Sequence, residues 1–300
     1  VILIVLFAAT PAAVWAEGAS VGGPMLGYVA DPEGGVRPIR GIPGAAIVGE
    51  RQAWGMATAR VEVSPSQDYA LTVDAEGAVA RVELGRAATE ARPVEGAVRA
   101  PERIVMSPGG GAALLVKGAE AQVVLGAVAR ASFELPVAGA VLAVSDRGNV
   151  LAAGRGSLYL FDAGEAKPLQ AAGPITALAF SADGRTAMAA GPGQLAMIDD
   201  VAGTASWRWL ATLDEDLGSP VAVAEANGRA VVATGNAVLV VGQDGAASRF
   251  AAAATGLSRL QGNAFRLTGY GADPMWMIEV GPEPRLLFIP PAAESGEVAQ

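Results

Sequence analysis

Two arginines, each four residues ahead of a serine, are the first residues whose spacing suggests chemistry: Arg60 before Ser64 and Arg103 before Ser107. On equivalent strands their guanidinium forks would stand at one level and could receive a carboxylate or phosphate. The competing reading is internal pairing with the neighbouring Glu62 or Glu102. The alternation Trp207-Arg208-Trp209 puts two indoles on one face of an extended strand. That face would be a platform for a sugar or peptide, or it would pack between elements with its N–H bonded, a role that suits at least one of the two.

Other chemistry is excluded by composition. The sequence has no His and no Cys, which removes nucleophilic triads of the Ser-His-Asp or Cys-His kind, zinc sites of the usual ligand types and haem attachment. Gly109-Gly110-Gly111 lacks the Lys-Ser/Thr that completes a phosphate loop, and Gly154-Arg155-Gly156 lacks a third glycine and a following helix; both are expected to be turns. The acidic groups Asp199-Asp200 and Asp214-Glu215-Asp216 lack the alternating spacing that wraps calcium and read as solvated loops. No cofactor is expected, and calcium held by carboxylates is the one ion left open. A net charge of −9 argues against nucleic acid or an anionic membrane as partner.

The elements that must position these residues recur along the chain. An apolar strand ends in Ser or an equivalent, a tight turn of Pro, Gly, Asp or Asn follows, and an Ala/Val/Leu strand returns. The strongest copies surround Ser64, Ser107, Ser145 and Ser181, and weaker ones surround Glu225 and Gly262. These anchors lie about forty residues apart, which suits a four-stranded blade. Small and β-branched residues fill both faces of the strands, as expected where each sheet packs against two neighbours. An Ala-rich helical repeat is the alternative, but 39 Gly and 19 Pro would break it repeatedly. The expected fold is therefore an all-β propeller of four-stranded blades, seven by preference and six as the alternative. The hairpin Met25–Ala30 with Val36–Arg40 would supply half of a seventh blade or the strands that close the ring.

At the start, the uncharged apolar run Val1–Ala9, followed by small residues to Ala16, has the character of a secretory signal peptide. The expected organisation is a leader over 1–16, a linker over 17–24, the propeller over 25–290 and a polar tail over 291–300. That address implies a secreted or periplasmic protein with no membrane insertion after cleavage.

Ser64-Pro65 and Ser181-Ala182-Asp183-Gly184, each after an apolar strand, resemble the "SPDG" turn of bacterial YVTN and WD40-like propellers. Leu26-Gly27-Tyr28-Val29 with the segment from Arg37 to Ala45 is similar to uncharacterised exported propellers of that class. The pattern departs at Glu225 and Gly262, and no Gly-His or Trp-Asp pair is present. The resemblance implies a fold and little about activity. Propeller lactonases and related hydrolases use channel carboxylates with calcium, and often His, of which only the carboxylates exist here. The leading expectation is a non-catalytic module that binds a protein, peptide or glycan, or scaffolds an assembly. The alternative is a calcium-assisted hydrolase or lactonase.

Overall fold

The computed structural model describes residues 23–85, 90–170, 173–268 and 274–291. The expected leader, most of the linker and the tail beyond Pro291 lie outside them. Seven antiparallel sheets follow one another along the chain, the first of three strands and the other six of four, each ordered as in the sequence. The innermost strands are Met25–Ala30, Thr58–Val63, Arg103–Met106, Val141–Val144, Ala177–Phe180, Pro220–Ala226 and Ser258–Arg259, opening blades 1 to 7. The chain is a seven-bladed β-propeller. The early hairpin, extended by the short strand Ile47–Val48, is its first blade.

Each innermost strand ends at one buried residue: Asp31, Ser64, Ser107, Ser145, Ser181, Ala226 and Leu260. Two of the sequence anchors shift. Blade 6 turns tightly at Asn227-Gly228, both in the left-handed region, so its equivalent is Ala226 rather than Glu225. In blade 7 the turn is closed by Leu260 N–H donating to Ala264 O at 2.8 Å, which makes Gly262 part of the turn. Buried serine hydroxyls need partners, and here they find them in the turns. Ala112 N–H donates to Ser107 Oγ (2.9 Å) and Asn149 N–H to Ser145 Oγ (3.0 Å).

Among the described residues, seven apolar clusters sit one in each interface between blades. This is the two-sided burial that the unalternating strands imply. The cluster between blades 1 and 2 is the smallest, with Tyr28, Val36, Ala70 and Leu84 as its buried members. Three buried polar atoms without a hydrogen-bond partner, Trp54 Nε1, Thr58 Oγ1 and Thr72 Oγ1, belong to the first two blades and their connection.

Blades 1 and 7 close the ring by packing, with Leu26, Val29 and Ile39 against Leu260, Met275 and Met277. Gln261 N–H also donates to Leu26 O at 2.7 Å. A second tie comes from Gln67 in the first turn of blade 2. Its Oε1 accepts from Tyr28 N–H (2.6 Å) in blade 1, and its Nε2 donates to Arg259 O (2.6 Å) in blade 7. Gln67 has a φ of 62°, where the corresponding turns carry Gly110, Gly148 and Gly184. A side chain that sits where glycine is favoured is held there by what it bonds.

Candidate functional site

The innermost strands surround a central cavity of about 150 Å³. Its wall is uneven. Blades 3 to 5 contribute Val105, Met106, Leu142, Val144, Leu178 and Phe180, an apolar sector. Blades 6 and 7 contribute Glu225 and Arg259 beside Val223, Leu257 and Phe265. Pro65 and Pro108, in the turns that follow the serines, also line it, so the cavity lies toward the serine-turn end of the channel.

Position along the innermost strand explains the pattern. The residues immediately before the anchors in blades 2 to 7 are Val63, Met106, Val144, Phe180, Glu225 and Arg259. The charged members of this tier are neighbours, and each is bonded to a backbone group nearby. Arg259 Nη2 donates to the Glu225 carbonyl, while Gly228 N–H donates to the Glu225 carboxylate at 2.7 Å. Burial lowers the Arg259 pKa, opposed by the charge of Glu225. Its guanidinium also lies over the Phe265 ring at 4.9 Å.

Two residues before the anchors, blades 2 to 7 carry Glu62, Val105, Ala143, Ala179, Ala224 and Ser258. The four small apolar members line the cavity. Glu62 makes no hydrogen bond and no close ion pair among the described residues. Burial pushes its carboxyl above the usual range, against the opposing charges of Arg266 first and Arg60 second. Arg266 lies opposite Ser258 in the sheet and donates from Nη2 to its hydroxyl at 3.0 Å. Burial lowers its pKa, and Glu62 counteracts that shift. An acid and a base thus feel each other's charge without touching.

Arg60 and Arg103 occupy the same place on the innermost strands of adjacent blades. Both are exposed, near the strand starts and away from the wall of the central cavity. Arg60 Nη1 donates to the Glu102 carbonyl and Arg103 Nη1 to the Ala140 carbonyl at 3.0 Å. Each acceptor lies five residues before the anchor of the following blade. Thr176 makes a comparable tie from blade 5 to blade 6, one position further from each anchor, through Oγ1 to Pro220 O at 2.8 Å. The two arginines are therefore brought to equivalent sites, where backbone carbonyls of the next blade occupy one donor of each. Arg60 also borders a surface cleft with Asp74, Glu76 and Glu102.

Trp207 and Trp209 lie on the outer strand Ser206–Thr212 of blade 5, opposite Ile198 and Ala196. Trp207 packs on the core between blades 4 and 5 and donates Nε1–H to Gln170 O at 2.7 Å. Trp209 is 56% exposed. The acidic groups serve their surroundings: Asp199 pairs with Arg208 (3.3 Å), Asp216 with Arg249 (2.9 Å), and Asp200 accepts from Thr204 N–H. Gly109 and Gly111 donate backbone N–H groups to Asp146 of blade 4. No group of three or more acidic residues able to hold a metal ion occurs among the described residues.

Sequence reasoning missed Arg259 as a residue of the cavity wall, and Glu62 and Arg266 as partly buried charges that act on each other. Counting back two from Ser64, Ser107, Ser145 and Ser181 gives Glu, Val, Ala and Ala, a departure that marks Glu62. Arg259 and Arg266 were hidden because the blade 7 anchor lacks its serine.

No family model and no curated protein matches the sequence. Solved structures do match the fold. A functionally unknown protein from Desulfotomaculum acetoxidans DSM 771 aligns over 89% of this chain and 100% of its own, with a TM-score of 0.61 and 11% identity. The WD40 repeats of RRP9 align over 85% and 87%, with a TM-score of 0.58 and 10% identity. A chain of the Mitotic Checkpoint Complex aligns over 84% of both, with a TM-score of 0.56 and 12% identity. The likeness is one of fold. It relates the chain distantly to WD40-type propellers.

Proposed function

We propose that this protein is an exported, non-catalytic binding propeller that receives a protein, peptide or glycan partner at the serine-turn mouth of its channel. The observation that carries the reading is the uneven cavity: an apolar wall from blades 3 to 5 faced by charged residues of blades 6 and 7. Ligand sites of this kind combine apolar surface with a few placed polar groups. Trp209 offers a second, peripheral contact through its exposed indole. Arg60 and Arg103 would attract an anionic group at the opposite end of the channel. Export rests on the apolar character of the first sixteen residues.

The test is the full chain on peptide and glycan arrays, beside an Ala224→Phe variant that fills the cavity from its wall. The reading expects an array ligand whose signal falls at least tenfold in the variant. Ligands that bind both proteins equally, or no ligand on either array, would overturn it.

A further inference from the structure

Of the six large apolar side chains exposed among the described residues, five stand at one end of the propeller. Strand direction places them. The first and third strands of a blade run toward the serine-turn end and the second and fourth run away from it. Val221 is near the start of the first strand of blade 6, Pro220–Ala226. Trp276 is near the start of the third strand of blade 7, Met275–Glu279, and Phe288 near the finish of the fourth, Arg285–Ile289. Ile42 follows the second strand of blade 1, and Ile47 opens its third. All five therefore lie at the end opposite the serine turns. Blades 6, 7 and 1 are neighbours around the ring, so the five share one sector of that end. Trp209, the sixth, lies on the outer strand of blade 5.

The segments that carry these side chains, residues 41–49, 250–258, 275–278 and 286–291, contain no charged residue. The connection between blades 6 and 7 adds the exposed Ala251 and Ala253, and the Trp276 and Phe288 rings stand 5.9 Å apart. An exposed apolar sector of this kind marks a surface that is covered in use. The chain itself points to the cover. Gly41 N–H donates to Pro24 O at 2.7 Å, so the residues ahead of the first strand arrive beside Ile42. They include the uncharged apolar run Val1–Ala9, which is too short to span a bilayer but suits its surface. We infer that this end of blades 6, 7 and 1 docks on a neutral lipid surface, with Trp276, Phe288, Ile42, Ile47 and Val221 entering the headgroup layer. Indole and phenyl rings favour that layer. Arg40, exposed at the finish of the second strand of blade 1, can keep its charge among the headgroups. Asp214, Glu215 and Asp216 at the edge of the sector, and the net charge of −9, set the face against anionic lipid. Docked in this way, the propeller would turn its serine-turn mouth outward to a partner.

Co-sedimentation of the full chain with phosphatidylcholine vesicles, at low salt and at about 0.5 M salt, tests it. The expected result is binding that salt leaves unchanged and that anionic lipid does not improve. Two double variants probe the face from separate blades, Trp276→Ser/Phe288→Ser and Ile42→Ser/Ile47→Ser. Each keeps the apolar run, and each is expected to weaken vesicle binding about fivefold or more; the second stands in if the first fails to fold. No sedimentation with phosphatidylcholine, or binding that needs anionic lipid, would overturn the inference. Variants that bind as well as the parent would overturn it too, by assigning the attachment to residues 1–16. Self-association of the parent without vesicles, lost in both variants, would give the face to a second copy of the chain instead. The channel reading concerns the other end of the molecule and is judged by the array experiment alone.

Discussion

Replacing Gln67 separates two effects that the structure sets against each other. Its side chain, 5% exposed, joins blades 1, 2 and 7 through two hydrogen bonds of 2.6 Å. Its backbone meanwhile holds a φ of 62° that glycine would adopt without strain. Gln67→Ala removes both bonds and leaves Tyr28 N–H and the Arg259 carbonyl without those partners, at about 1 to 3 kcal/mol for an orphaned buried group. The backbone strain remains. A loss of about 3 kcal/mol is expected, a fall in Tm of roughly 6 to 12 °C for a domain of this size. Gln67→Gly loses the same bonds but relieves the turn, returning about 1 kcal/mol. Urea and thermal unfolding should therefore rank the parent above glycine and glycine above alanine. Hydrogen exchange should show faster opening at Tyr28 in both variants. A Cβ on Gly27 would lie 2.6 Å from Gln67 Oε1, so Gly27→Ala should disturb the same tie. A Gln67→Gly protein as stable as the parent would refute the reasoning, since the side chain would then contribute nothing to closing the ring.

Three further outcomes follow from the same geometry. Glu62 has its pKa raised on folding, so the folded state holds its proton more tightly than the unfolded chain. Its cost to stability is absent below the ordinary value of 4.5, grows as pH rises through the folded pKa and is complete above it. Glu62→Gln should thus stabilise the protein at neutral pH and remove that part of the pH slope, and a pH series of urea midpoints checks this. Asp146 accepts from Ser107 Oγ (2.6 Å), Gly109 N–H (3.1 Å) and Gly111 N–H (2.9 Å) of the preceding blade. Asp146→Ala should cost about 2 to 4 kcal/mol in denaturant titrations. Reversing Arg60 and Arg103 to Glu should abolish any phosphate or carboxylate binding at the far end of the channel; anion binding that survives would deny the pair that role.

The sequence carried the fold because the physical demand for it repeats. A buried hydroxyl before a tight turn, with Gly or Gln in the left-handed position, leaves the same trace at Ser64, Ser107, Ser145 and Ser181. Where the anchor side chain is apolar, as at Ala226 and Leu260, the trace fades and the alignment drifts by one or two residues. Asp31 does the work of the serine in blade 1 and pairs with Arg37, but an aspartate in an Asp-Pro turn reads as loop chemistry. The site was less legible for a related reason. Charged residues are brought together from different blades, so Glu62 and Arg266, each acting on the other's pKa, are distant in sequence. The arginines that spacing singled out do reach equivalent places. Their nearest acceptors are carbonyls of the next blade, groups that every residue carries and no side-chain pattern reveals.

The central claim is that ligand enters the channel, and methyl-resolved NMR tests it most directly. With side-chain methyls labelled and the strongest array ligand at saturation, the account predicts shifts concentrated on Val105, Leu142, Val144 and Leu178, with the outer strands unmoved. Shifts confined to residues near Trp209 on the rim, with the channel methyls unchanged, would contradict it.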